Sequence, residues 1–238
     1  MISMNTNYLL AAHSVHLWRV FVPDMLAEIN HLRHLLNEEE MVRAERLHFE
    51  EHRSRYIIAR AMLRQILSLY TQQKAEEIVF LYGPRGKPFL RDNPLNIHFN
   101  VSHSHDMAVY ALTLGHEIGI DIEKIKDQIN LAVAKRFFSP EEYDQLNSLP
   151  ETEQKVAFYF IWAAKEAFIK ALGEGLFAPL ADFTIDIKQQ HQIVKLATVP
   201  FYVESFIIHP DYQSAFATPQ PIESVIHWQW STNGITSP

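Results

Sequence analysis

In Ile118-Gly119-Ile120-Asp121-Ile122-Glu123 the residues alternate with a period of two. A strand here turns the isoleucines to one side and Gly119, Asp121 and Glu123 to the other, so two carboxylates project side by side. Like charges that close repel, and a cation or solvent must compensate them. A half-buried strand with its polar face in water is the alternative, and on pattern alone it is the commoner case. Further along, Phe158 to Lys170 is apolar around most of a helical circumference, as in a buried helix. Glu166 and Lys170 stand four apart in the order that favours an ion pair, which on an exposed helix contributes only about 0.2–0.5 kcal/mol. Among aromatic and aliphatic neighbours the pair points instead to a site where both charges have other partners. Magnesium held by Asp121, Glu123 and Glu166 meets that need, because Mg²⁺ takes oxygen ligands and shares them with substrate phosphates. Mn²⁺ is the alternative ion.

Two weaker signals lie upstream. Asn100-Val101-Ser102-His103-Ser104 offers hydroxyls and an imidazole to an anionic group, although a lone histidine in a loop is more often structural. Lys87, in a Gly-Lys-Pro loop, is either a phosphate ligand or a solvated charge.

Elements must position these groups. Val15 to Val22 alternates as a strand and stops at Pro23. From Asn37 to Leu69 there is no glycine or proline, and Ile58, Met62, Ile66 and Leu69 form one stripe, which predicts one or two helices. The same stretch holds Arg43, Arg46, Arg53, Arg55, Arg60 and Arg64. Strands are expected at Ile97 to Val101, Met107 to Leu114 and Ile118 to Ile122. A helix is expected from Pro140 with Ser139 as N-cap, then another from Glu153 to Leu172 stopped by Gly173 and Gly175. Phe183 to Ile187 and Tyr202 to Ile208 alternate as strands. This order fits an α+β fold of two similar halves, 1–116 and 117–238. Tyr56 to Arg64 shows a faint likeness to Trp162 to Lys170.

Composition narrows the function classes. With 47% hydrophobic and 21% charged residues, the 238-residue chain is expected to be a soluble globular protein. The most apolar helical stretch, Ala157 to Ala164, ends at Lys165, well below the ~20 residues a membrane span needs. The N-terminus lacks the pattern of a secretory signal, so a cytoplasmic location is expected. The absence of cysteine removes disulfides, thiolate metal sites and a cysteine nucleophile. A net charge of −7 argues against a nucleic-acid partner.

Taken together and in order, these motifs resemble the Sfp-type 4′-phosphopantetheinyl transferase family. The likeness is carried by Gly86-Lys87-Pro88, Phe99 to Ser104, Gly119 to Glu123, Phe137 to Tyr143, and Trp162 to Lys170 with Gly173 and Gly175, across roughly Asn37 to Leu180. Glu40 stands where some relatives have a second basic residue, and His105 where a glycine is often found. The resemblance implies two halves related by pseudo-twofold symmetry, with coenzyme A in the cleft between them. It implies Mg²⁺ on Asp121, Glu123 and Glu166, Ser102 and His103 at the phosphates, Lys87 at the nucleotide end and Arg43 at the 3′-phosphate. Glu166, Lys170 and Asp121 would be catalytic, with Lys165 or Lys170 at the departing phosphate. The implied reaction moves phosphopantetheine to a serine of an acidic acyl or peptidyl carrier protein and releases 3′,5′-ADP, in an enzyme working as a monomer. The rival expectations are another metal-dependent phosphoryl enzyme and a non-catalytic module that binds coenzyme A or a carrier.

Overall fold

The first strand of the chain sends its two faces into different cores. In β1 (Ser14–Phe21), Val15 and Leu17 face one apolar cluster while Trp18 and Val20 face another, as the alternation predicts. The computed structural model describes residues 8–173, 179–196 and 199–237. After β1 come the short helices α1 (Ile29–Arg33) and α2 (Glu38–Glu45), the long helix α3 (Glu50–Thr71), a small hairpin of β2 (Phe80–Tyr82) with β3 (Pro88–Leu90), and the hairpin β4 (Ile97–Ser104) and β5 (Met107–Leu114). The second half repeats the theme with β6 (Gly119–Lys124), α4 (Leu131–Phe137), α5 (Pro140–Ser148), α6 (Glu151–Leu172), β7 (His191–Leu196), β8 (Val199–His209) and β9 (Tyr212–Thr218). Last come β10 (Ser224–Ser231) and β11 (Gly234–Thr236).

The sheets share a plan. The first runs β11-β10-β1-β5-β4 and the second β6-β9-β8-β7, with β1 antiparallel to β5 and β6 antiparallel to β9. β10 then returns to lie parallel with β1, from Ser14 opposite Ser224 to Val20 opposite Trp230. Segment 117–238 therefore supplies strands to both sheets. Between the sheets, Leu17, Val109 and Ala111 meet Ile118, Ile120, Ile122 and Phe216 in an apolar core. Burial of that face holds the halves together, because apolar area removed from water stabilises by about 25 cal/mol per Å².

The repeat extends to single side chains. α3 and α6 each span 22 residues, and Arg64 and Lys165, at the same step along them, are both fully buried. Arg64 bonds the Glu40 carboxylate and the carbonyls of Ala75 and Ile78. Lys165 pairs with Glu142 at 2.9 Å and donates to the carbonyls of Leu180 (2.6 Å) and Phe183 (2.7 Å). Glu40 and Glu142 are in turn the third-residue partners of capping boxes begun by Asn37 and Ser139. The sequence likeness set Arg64 against Lys170; the structure sets it against Lys165.

Two expectations change. Phe183 to Ile187 is not a strand: the Ile185 N–H goes to Glu142 Oε1 (2.6 Å) and the Phe183 carbonyl to Lys165, so buried side chains take the bonds a sheet would have used. Gly173 does end α6 in a left-handed conformation (φ 73°), whereas Gly175 lies outside the described residues.

Under the first sheet, Tyr70 Oη bonds buried His16 Nδ1 (2.8 Å) and accepts from Trp18 Nε1 (2.9 Å). Burial lowers the His16 pKa to about 4. The unfolded chain, with its ordinary value near 6.5, takes up this proton first, so the neutral ring stabilises fully above pH 6.5 and the contribution disappears as pH falls to 4. The loss reaches about 3 kcal/mol. Chemical denaturation at pH 7 and pH 4.5 is expected to show it, and His16→Gln to flatten that part of the slope.

Candidate active site

Gly119 sits where a helix backbone leans on β6. A Cβ there would stand 2.1 Å from the Ala167 carbonyl oxygen and 2.3 Å from the Ala171 nitrogen, so only glycine lets α6 approach this closely. The contact fixes which face of α6 meets the strand and brings Lys170 onto Asp121. The three isoleucines of the motif enter the core between the sheets, and Gly119, Asp121 and Glu123 face the other way, as period two predicts.

From the other side β4 stitches itself to β6 with side chains rather than a backbone ladder. Asn100 Oδ1 accepts the Ile120 N–H (3.0 Å), Ser102 Oγ donates to Asp121 Oδ1 (2.9 Å), and Ser104 Oγ accepts the Lys124 N–H (3.1 Å). These three alternate residues share one face, which puts Val101 and His103 on the opposite one. Ser102 and His103, expected together, therefore part company. His103 is exposed, yet enough protein surrounds its ring for desolvation to lead the causes lowering its pKa, followed by the Lys170 charge.

Lys170 Nζ donates to Asp121 Oδ1 (2.6 Å), Ser102 Oγ (2.9 Å) and the Ile120 carbonyl (3.2 Å). Its carboxylate partner is Asp121 rather than Glu166. Asp121 is 4% exposed, and its second oxygen, Oδ2, is buried with no hydrogen-bond partner. Glu123 is held at both oxygens, by Trp162 Nε1–H at Oε1 (3.1 Å) and by Ser104 Oγ–H at Oε2 (3.3 Å), and burial together with Asp121 raises its pKa. Burial raises Glu166 furthest, to about 7, with Asp121 and Glu123 adding repulsion that Lys170 only partly offsets. The three carboxylates thus feel one another, and among the described residues Lys170 is the cation that offsets them.

This donor set fits a hard divalent ion. Among the described residues no three acidic or imidazole side chains are drawn together tightly enough to hold a metal by themselves. Mg²⁺ does not need that: it binds through one or two carboxylates and completes its octahedron with water and substrate phosphate. The orphaned Asp121 Oδ2 and the unneutralised charge at Glu166 are what such an ion would satisfy.

The chain is similar to known proteins along most of its length. Residues 117–217 match the family model of the 4′-phosphopantetheinyl transferase superfamily, and residues 23–114 that of the 4′-phosphopantetheinyl transferase N-terminal region. The 4′-phosphopantetheinyl transferase HetI of Nostoc sp. is 37% identical over 197 residues, covering 82% of each chain. The chain belongs to the 4′-phosphopantetheinyl transferase superfamily. Psf-1 of Bacillus pumilus is 36% identical over 82% of this chain and 83% of its own. Sfp of Bacillus subtilis is 34% identical over 78% of this chain and 83% of its own.

In this transferase, three of the expected ligand contacts look different in place. Lys165, expected at the cofactor, points into the second core with its donors on Glu142, Leu180 and Phe183. A fully buried lysine so paired cannot reach a phosphate, and its part is structural. Lys87 donates to Glu117 Oε2 (2.6 Å) and the Ile118 carbonyl (3.0 Å), clasping the linker between the halves. The His98 hydrogen bond first, then Lys87, hold the Glu117 pKa down to about 2 against its burial. Arg43 is exposed, its guanidinium 5.7 Å from the Tyr56 ring centre. It lines a cleft of about 650 Å³ with Glu38, Glu39, Arg46, Tyr56 and Tyr82, and none of the three carboxylates of the β6–α6 site borders that cleft.

The remaining surprises were readable in part. Gly119 inside a β-branched strand is a signal for close backbone approach. Trp162, four residues before Glu166, shares its helix face, and Ser104 continues the alternation from Asn100. Arg60 and Arg64 turn inward to Glu40. His105, at the tight β4–β5 turn, keeps a positive φ of 51°, the conformation a glycine there would adopt at least cost.

Proposed function

We propose that this transferase moves the 4′-phosphopantetheine arm of coenzyme A to a serine of an apo acyl or peptidyl carrier protein, releases 3′,5′-ADP, and requires Mg²⁺, with Mn²⁺ as a substitute. The observation that carries the reading is Asp121: one oxygen gripped by Lys170 and Ser102, the other buried without a partner next to a charge-crowded Glu166. When bound, the ion would lie on Asp121, Glu123 and Glu166 and supply charge stabilisation at the diphosphate.

The chain's own groups account for the rest. The serine oxygen forms a bond to the phosphorus that carries pantetheine, and the bond from that phosphorus to the oxygen of 3′,5′-ADP breaks. Glu166, directly or through a water molecule, would receive the serine proton. Lys170 already spends its donors on Asp121, Ser102 and the Ile120 carbonyl, and the 3.2 Å bond to Ile120 is the one a phosphate oxygen would displace. Lys170 then stabilises charge on the departing phosphate. His103 and Lys87 would meet the coenzyme A phosphates and nucleotide end, and Arg43 the 3′-phosphate. Exposed Arg46 suits an acidic carrier. We place the enzyme as a cytoplasmic monomer.

Incubation with coenzyme A, Mg²⁺ and a panel of apo carrier proteins, followed by intact-mass measurement, tests this. One carrier is expected to gain a single arm with an equal yield of 3′,5′-ADP, and chelation to stop the gain. Coenzyme A hydrolysed with no carrier modified would overturn the proposal.

A further inference from the structure

We infer that Trp162 is a positioning residue for the metal site, setting the orientation of the Glu123 carboxylate through its indole N–H. The inference rests on the reading of Asp121, Glu123 and Glu166 as the ion's ligands. Glu123 is the one member of that trio whose two oxygens are both held by neutral donors: Trp162 Nε1–H at 3.1 Å and Ser104 Oγ–H at 3.3 Å. Donors at both oxygens leave the Glu123 carboxylate little freedom to rotate, so its orientation toward a cation is set by Trp162 and Ser104. Asp121 differs in having a lysine on one oxygen.

The indole is itself held. Phe137, at the end of α4, packs edge-on against Trp162 with ring centres 5.8 Å apart at 62°. The Lys124 N–H steadies Ser104 in turn (3.1 Å). Donors to a ligating carboxylate commonly change metal affinity by 10–100-fold when removed.

The test measures Mn²⁺ binding by electron paramagnetic resonance, with coenzyme A present, in wild type, Trp162→Phe and Asp121→Asn, beside thermal melting of each. Phenylalanine keeps a ring against Phe137 and deletes only the indole edge and its N–H. The expected result is a Kd for Mn²⁺ about 10–100-fold weaker in Trp162→Phe with a melting curve close to wild type. An unchanged Kd in Trp162→Phe, beside a lost one in Asp121→Asn, overturns the assignment alone. Equal Mn²⁺ binding by wild type and Asp121→Asn removes the metal reading, and this assignment with it. Should Trp162→Phe fail to fold, the wild type decides: paramagnetic Mn²⁺ is expected to broaden the Trp162 indole N–H resonance among the four tryptophans, and an unbroadened signal contradicts the inference.

Discussion

Lys170→Met is expected to lower kcat for phosphopantetheine transfer by about 10²–10³-fold while leaving a folded protein, the usual effect of deleting one donor that stabilises transition-state charge. Lys165→Met is expected to do the reverse. Both lysines flank Glu166 on α6, but Lys170 is partly exposed beside Asp121, whereas Lys165 and its partner Glu142 have no exposed side-chain surface. Removing the buried ammonium strands the Glu142 carboxylate, which also holds the Ser139 and Ile185 amides, and costs about 3–5 kcal/mol. That is a large share of the 5–15 kcal/mol by which a typical domain is stable. Parallel melting curves and transfer rates separate the two: Lys170→Met folded and nearly inactive, Lys165→Met unstable yet active in its folded fraction. A Lys165 variant with wild-type melting and no activity would return that lysine to the substrate.

The second large effect comes from a residue with no side chain. Gly119→Ala is expected to reduce transfer by about 10²-fold, because a helix displaced on the order of 1 Å takes Glu166 and Lys170 out of register with Asp121. The clash is with backbone, at 2.1 Å from the Ala167 oxygen and 2.3 Å from the Ala171 nitrogen, so no rotamer change relieves it. Overpacking of this kind also costs about 1–3 kcal/mol of stability. Wild-type kcat in Gly119→Ala would mean that the spacing of α6 from β6 does not set the site.

These two cases mark how far the site could be read in advance. Period two alone placed Asp121 and Glu123 on one face of β6, since a strand leaves a side chain only two directions. The helix gave no such choice. α6 is apolar nearly all round, so no polar face told Lys165 from Lys170; Gly119, far away in sequence, selects between them by deciding where the helix rests. The arginine run of α2 and α3 is similar. Its charge was plain, but the inward turn of Arg60 and Arg64 depends on Glu40, 20 and 24 positions earlier, made available by a capping box. The strand expected at Phe183 to Ile187 failed for the same reason: its alternation was real, but the carbonyl and amide it offered were already claimed by Lys165 and Glu142. Local periodicity was reliable wherever one neighbour decided the outcome, and unreliable where a buried charge from another element did.

The claim on which the mechanism stands is that one divalent ion joins β6 to α6. A crystal structure with coenzyme A and Mn²⁺, read by anomalous scattering, tests it most directly. A single peak is expected against Asp121 Oδ2, within reach of the Glu123 and Glu166 carboxylates and touching the diphosphate. Coenzyme A bound with no ion at Asp121, or with the ion only in the Arg43 cleft, would contradict it.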